Sequence, residues 1–121
     1  MELQSEIYEI GMLMDFYGSL LTDNTLEVLE MYYNNDMSLA EIGEALGISR
    51  QGAHSFIIRG RQLLYEYEDK LGMFAKFKQL RARLEEVQQG LEIIDTSRMS
   101  EYDAAQLKKL HETLTDIVAK L

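Results

Sequence analysis

The stretch from Ser38 to Phe56, SLAEIGEALGISRQGAHSF, constrains this chain more than any other segment. Leu39, Ile42 and Leu46 recur three and four residues apart, so they share one face of a helix. Gly47 follows at once, and glycine readily takes the left-handed conformation that ends a helix. Ile48 plugs the corner. Ser49 stands where the next helix needs its cap, and Ala53, Phe56 and Ile57 carry the apolar face onward. At the front, Ser38 and Glu41 have the spacing of a capping box, in which serine and glutamate satisfy each other's backbone amides. A helix, a glycine corner and a capped second helix make a helix-turn-helix, whose second helix can enter the DNA major groove. The pattern predicts one helix over 39–46 and another from Arg50 past Leu63, Leu64 and Tyr67.

The flanking segments are helical too. The chain has no proline, so long helices meet no covalent obstacle. Alternating strand-like runs bounded by turn signals are missing, and the fold class expected is all-α. Leu3, Ile7, Ile10, Met14 and Tyr17, with Leu13 and Phe16 beside them, predict an amphipathic helix over 3–20 that ends near Gly18 or Leu21. Thr22-Asp23-Asn24 is a capping cluster for a second helix with Leu26, Leu29 and Tyr33 inward, broken by Asn34-Asn35-Asp36. Met12, Met14, Met31 and Met37 fit as core filler. These helices and the helix-turn-helix make a domain over residues 1–70.

Residues 71–121 have a different character. Phe77, Leu80, Leu84, Val87, Leu91 and Ile94 form a heptad seam, and Leu107, Leu110, Leu114, Ile117 and Leu121 form another. The polar turn Asp95–Ser100 between them predicts a C-terminal antiparallel helical hairpin, with Ser100 and Asp103 resembling another capping box. One hairpin alone exposes part of its apolar surface, so it must fold onto the first domain or meet another copy. A homodimer through these seam residues is the expected solution. Gly90 inside the long helix costs roughly 1 kcal/mol relative to alanine, unless it serves close helix approach.

Composition narrows the function. The chain has 121 residues, no cysteine and a net charge of −9, which argues against indiscriminate nucleic-acid binding and excludes thiolate chemistry. The charges are unevenly spread. Residues 1–36 hold eight acids and no Lys or Arg, whereas from Ala45 to Tyr65 there is no acid and Arg50, Arg59 and Arg61 stand alone. An acidic body with a basic second helix suits selective DNA binding. On that helix Arg50 suits guanine and Gln51 suits adenine, with Ser49, His54 and Ser55 beside them; Arg59 and Arg61 suit phosphates.

Other chemistries lack their residues. His54 and His111 fall on separate helices with no acidic cluster at ligand spacing, so no metal site and no cofactor are expected. No phosphate-binding glycine loop, nucleophile elbow or carboxylate–histidine grouping supports an enzyme. The basic run Lys76, Lys78, Arg81 and Arg83 extends a nucleic-acid surface or, more plainly, is a solvated face, because Glu85 and Glu86 follow. No apolar run approaches the ~20 residues of a membrane span, and the N-terminus lacks the basic region of a secretory signal. A cytoplasmic protein without a membrane span is expected.

Residues 21–64 resemble region 4 of bacterial sigma-70-type factors, with Ser38–Ser49 matching that family's turn and Arg59-Gly60-Arg61 near its basic helix end. Gly52 and His54 stand where sigma recognition helices tend to be basic, and Ile58 where they tend to be polar. Fewer phosphate contacts imply weaker binding and a shallower salt dependence. A wider similarity is to the YlxM family of small helix-turn-helix proteins. It rests on Asp15–Thr22, Met31-Tyr32-Tyr33, Ser49-Arg50-Gln51 and Tyr65–Leu71. This resemblance implies a bacterial cytoplasmic protein of regulatory description, linked by gene neighbourhood to the signal recognition particle pathway. Two functions follow as expectations. The first is a DNA-binding transcription regulator. The second is a protein- or RNA-binding adaptor of the signal recognition particle machinery that does not read DNA sequence.

Overall fold

Side-chain caps and glycine corners set the helix boundaries. The computed structural model describes residues 2–121, with side chains from Gln4 onward, so the inward position expected for Leu3 lies outside the described residues. Among the described residues there are six helices and no strand: α1 (Glu2–Tyr17), α2 (Asp23–Tyr33), α3 (Leu39–Leu46), α4 (Arg50–Leu71), α5 (Met73–Glu92) and α6 (Glu101–Lys120). A 3₁₀ turn over Gly18–Leu20 follows α1. The chain is all-α and divides into two compact units, one running to Phe74 and the other Ala75–Leu121.

In the first unit the corner forms as its residues dictate. The Glu41 amide donates to Ser38 Oγ at 3.1 Å and the Ser38 amide to Glu41 Oε1 at 3.2 Å, so the capping box that starts α3 is complete. Gly47 ends α3 at φ 68°, ψ 31°, in the left-handed region. The Ile48 amide then donates to the Gly43 carbonyl at 2.9 Å. A Cβ on Gly43 would lie 2.7 Å from the Ile48 carbonyl oxygen, so only glycine lets the chain turn this tightly. Ser49 caps α4 by accepting the Gly52 amide at 2.9 Å.

The corner holds α3 against α4, and both rest on α1 and α2. Ile10, Leu13 and Tyr17 of α1, Val28 and Leu29 of α2, Ile42 of α3, and Ala53, Ile57 and Leu64 of α4 are buried together. Each large apolar side chain so buried contributes about 1.5–3 kcal/mol. Leu26 and Tyr33, expected inward, are half-buried, and Thr25 takes the buried place. Gly60 allows α4 to cross α2 closely: a Cβ there would lie 2.8 Å from Leu29 Cδ1 and 3.0 Å from Thr25 Cγ2.

The first unit extends through Phe74, beyond the boundary expected at residue 70. Phe74 is buried, its ring 6.3 Å from Phe16 and 6.4 Å from Tyr8. The Glu68 carboxylate accepts the Phe74 amide at 3.0 Å and the Tyr17 hydroxyl at 2.6 Å, while that hydroxyl accepts the Met73 amide at 3.0 Å. Side chains of α1 and α4 thus cap the first amides of α5, which would otherwise lack acceptors.

The second unit is a hairpin. Gln88 Nε2 donates to Thr115 Oγ1 at 3.1 Å, and Glu92 meets His111 at 3.3 Å. Four residues forward on α5 pair with four residues back on α6, so the helices run antiparallel. Ser100 caps α6 by accepting the Asp103 amide at 3.0 Å. The two seams split in a way the sequence did not indicate. Phe77, Leu84, Leu91, Leu107 and Leu114 are half-buried, whereas Leu80, Val87, Ile94, Leu110 and Ile117 are exposed. The reason is angular: within one seam, alternate steps of three and four residues fall on either side of the stripe.

Two substitutions test the corner. Gly43→Ala pushes a methyl into backbone and is expected to destabilise the protein by about 1–3 kcal/mol. Gly11→Ala, inside α1 with nothing within 4 Å of the new methyl, is expected to stabilise by up to about 1 kcal/mol. Urea unfolding of both variants measures this, and similar shifts for the two would contradict the tight turn.

Candidate nucleic-acid interface

Helix α4 has two sides of opposite character. Ala53, Ile57, Gly60 and Leu64 pack inward. Ser49, Arg50, Gln51, His54, Ser55 and Arg59 are all exposed. The first turn contains no acid, so the positive end of the helix dipole is not offset there. Ser49 uses an oxygen lone pair on its cap and keeps its hydroxyl hydrogen for a partner. The Ser55 hydroxyl turns back to donate to the Gln51 carbonyl at 3.1 Å, which leaves it acceptor capacity outward.

Arg61, expected to hold phosphate with Arg59, is elsewhere. At about 3.6 residues per turn, two positions two residues apart point to opposite flanks of the helix. The Arg61 flank meets α1, where its Nη2 pairs with Glu6 Oε1. Its Nε is buried without an acceptor. Arg61 therefore links α1 to α4 and does not belong to the exposed face. Glu6 lies 55 residues away in sequence, and no local pattern announced the pair.

Beside this pair is a cleft of about 570 Å³, lined by Tyr32, Tyr33, Met37, His54, Ile58 and Arg61 among others. Ile58 is 51% exposed on the same side as His54. Tyr33 and Tyr32 meet edge to face at 5.0 Å between ring centroids. Burial pushes the Tyr33 phenol up to about 12; Arg61 pulls it down and Glu6 pushes it up, both less strongly. Among the described residues no group of three or more His, Asp or Glu could hold a metal ion. No helix among them is long and apolar enough to cross a membrane.

This architecture can be set beside known proteins. Residues 4–107 match the model of the UPF0122 family, described as "Putative helix-turn-helix protein, YlxM / p13 like". The chain belongs to this family. A UPF0122 protein of Acetivibrio thermocellus is 47% identical over 113 residues, covering 93% of this chain and 97% of that protein. One from Thermoanaerobacter sp. (strain X514) is 42% identical over 106 residues, 88% of each chain. One from Desulforamulus reducens is 38% identical over 115 residues, 93% of this chain and 98% of that one. No solved structure matches the chain. The YlxM resemblance and the all-α helix-turn-helix fold are thereby established. The family is described by its helix-turn-helix and not by a catalytic activity.

The Tyr33 environment predicts an alkaline loss of stability. The unfolded chain releases this proton near pH 10, while the folded protein keeps it until about pH 12. Between those values the folded state holds more protons, so stability must fall as pH rises. The contribution is complete below pH 10 and gone above about 12. Urea unfolding of Tyr33→Phe across this range should show a shallower decline than the parent protein; an equal slope would contradict the burial of the phenol.

Proposed function

We propose that this protein is a DNA-binding regulator that places α4 in the major groove and acts in the cytoplasm, where the chromosome lies. The observation that carries this reading is the exposed flank of α4. There Arg50, Gln51, His54 and Ser55 stand at the helix start, the part of such helices that reaches base edges. Arg50 offers a bidentate fork to guanine and Gln51 an amide to adenine. Arg59 and the Ser49 hydroxyl reach phosphate, aided by the helix N-terminus. Arg61 supports this surface from behind through Glu6.

The charge available is small. Two exposed arginines on an otherwise acidic protein give weak non-specific affinity, so selectivity must come from the base contacts. A second reading takes its support from Ile58 and the adjoining cleft. An exposed isoleucine in the middle of the outward flank suits a protein side chain better than a phosphate. Under that reading the protein is an adaptor of the signal recognition particle machinery, binding protein or RNA.

Selection of bound fragments from the source genome, followed by anisotropy titration, separates the two. The DNA reading expects log affinity to fall against log salt with a shallow slope of about −1 per copy, from Arg59 as the phosphate-neutralising arginine. Arg50→Ala/Arg59→Ala is expected to weaken binding at least roughly tenfold, through lost phosphate and base contacts. Arg61→Ala should leave the slope unchanged and lower stability by about 0–1 kcal/mol, the usual range for a partly exposed ion pair. A folded Arg50→Ala/Arg59→Ala protein with parental affinity would overturn this assignment.

A further inference from the structure

The hairpin buries few of its side chains fully. Among the residues of Ala75–Leu121, Val118 alone is fully buried, and the inward seam of Leu84, Leu91, Leu107 and Leu114 is half-buried. Leu80 and Val87 nevertheless stand seven residues apart on α5, exposed 51% and 53%, and Ile94, just past the end of the helix, is exposed 42%. Leu110 and Ile117 repeat the same interval on α6, exposed 60% and 45%. Given the antiparallel register fixed by Gln88–Thr115 and Glu92–His111, helical periodicity carries both ladders to the same side of the pair. The register also sets Val87 nearly level with Ile117.

Two further features lie on this side. Gly90 is three residues after Val87, so the two are neighbours on the surface of α5. A Cβ added there meets nothing within 4 Å. Nothing inside the chain accounts for a glycine in mid-helix, where it weakens the helix. A bare backbone is, however, what another helix needs for close approach.

The charges of α5 point to what that helix is. Residues 76–83 carry Lys76, Lys78, Arg81 and Arg83 and no acid, whereas residues 84–92 carry Glu85, Glu86 and Glu92 and no base. This order opposes the helix dipole, which favours acids at the start and bases at the end. A second α5 laid antiparallel sets each basic half over an acidic half.

We propose that this face docks a second copy of the chain about a two-fold axis, with α5 antiparallel to its counterpart, the axis passing between Arg83 and Glu86 so that each basic half lies over an acidic half, and Gly90 inside the contact. Two 20-residue helices side by side present a face on the order of 30 Å by 20 Å. That is comparable with the roughly 800 Å² per partner of a stable interface. A symmetric contact uses one patch twice, and both the apolar ladders and the charge halves are self-complementary. The half-buried Leu84, Leu91, Leu107 and Leu114 serve the hairpin itself. The proposal does not depend on DNA binding.

Sedimentation equilibrium of the full chain at tens of micromolar tests it. The expected mass is twice the 14.0 kDa of one chain; a mass of one chain, or of more than two, overturns the proposal. Val87→Asp and Gly90→Leu should each raise the dimer dissociation constant at least roughly tenfold, as expected for a charge or a bulky group placed in an interface core. Circular dichroism should show both variants as helical as the parent. Helical variants that both keep the parental dissociation constant would overturn the interface. Arg83→Glu should weaken the dimer, and Arg83→Glu/Glu86→Arg should recover it; a double variant no tighter than the single one rules out the antiparallel arrangement.

Discussion

The hydrogen bond from the Ile48 amide to the Gly43 carbonyl, 2.9 Å long, fixes the direction in which α4 leaves the corner. It forms because Gly43 has no side chain and because Gly47 takes a left-handed backbone. Two residues later Ser49 caps α4, so the longest helix of the chain starts in a direction with little freedom. Rotating that start by one residue, about 100° around the axis, would bury Arg50 or Gln51 and expose Ala53. The corner thus decides which side chains of α4 face outward. It does so with two glycines and two serine caps instead of a large hydrophobic contact.

Once that direction is set, packing assigns the arginines. Arg59 lies on the outward flank and Arg61 on the flank toward α1, although a single glycine separates them. That glycine, Gly60, presses on Leu29 and Thr25. The closeness of α2 to α4 there, and of α1 beside it, turns Arg61 from a surface charge into a tie between helices. The buried Arg61 Nε without an acceptor marks the cost of that position, since a buried donor lacks the bonds water would give it. The Tyr17–Glu68 bond at the other end of α4 has the related task of joining α1 to the start of α5.

Local features were legible in the sequence and long-range ones were not. The capping box at Ser38, the left-handed Gly47, the Ser49 cap and the turn before Ser100 depend on residues within a few positions of one another. Helical spacing identified the buried side of α1 through Ile10, Leu13, Met14 and Tyr17. In contrast, Glu6–Arg61 and Tyr17–Glu68 join residues more than fifty positions apart, and periodicity carries no information about such pairs. The extension of the first unit to Phe74 followed from the second of these. In the hairpin the seven-residue repeat gave the correct stripe but not its division, because which half of a seam turns inward depends on where the neighbouring helix lies. Gly43 and Gly60 were equally silent, since their role is the space taken by a residue on another segment.

The account rests on the outward flank of α4 being the surface that meets DNA. Amide chemical shifts of the isotope-labelled protein, followed during titration with a duplex from the bound fragments, test this most directly. The account predicts that the largest changes fall between Ser49 and Arg59, with Glu6 and the hairpin little affected. Changes concentrated on α1 or α6, with the α4 amides unmoved, would contradict it.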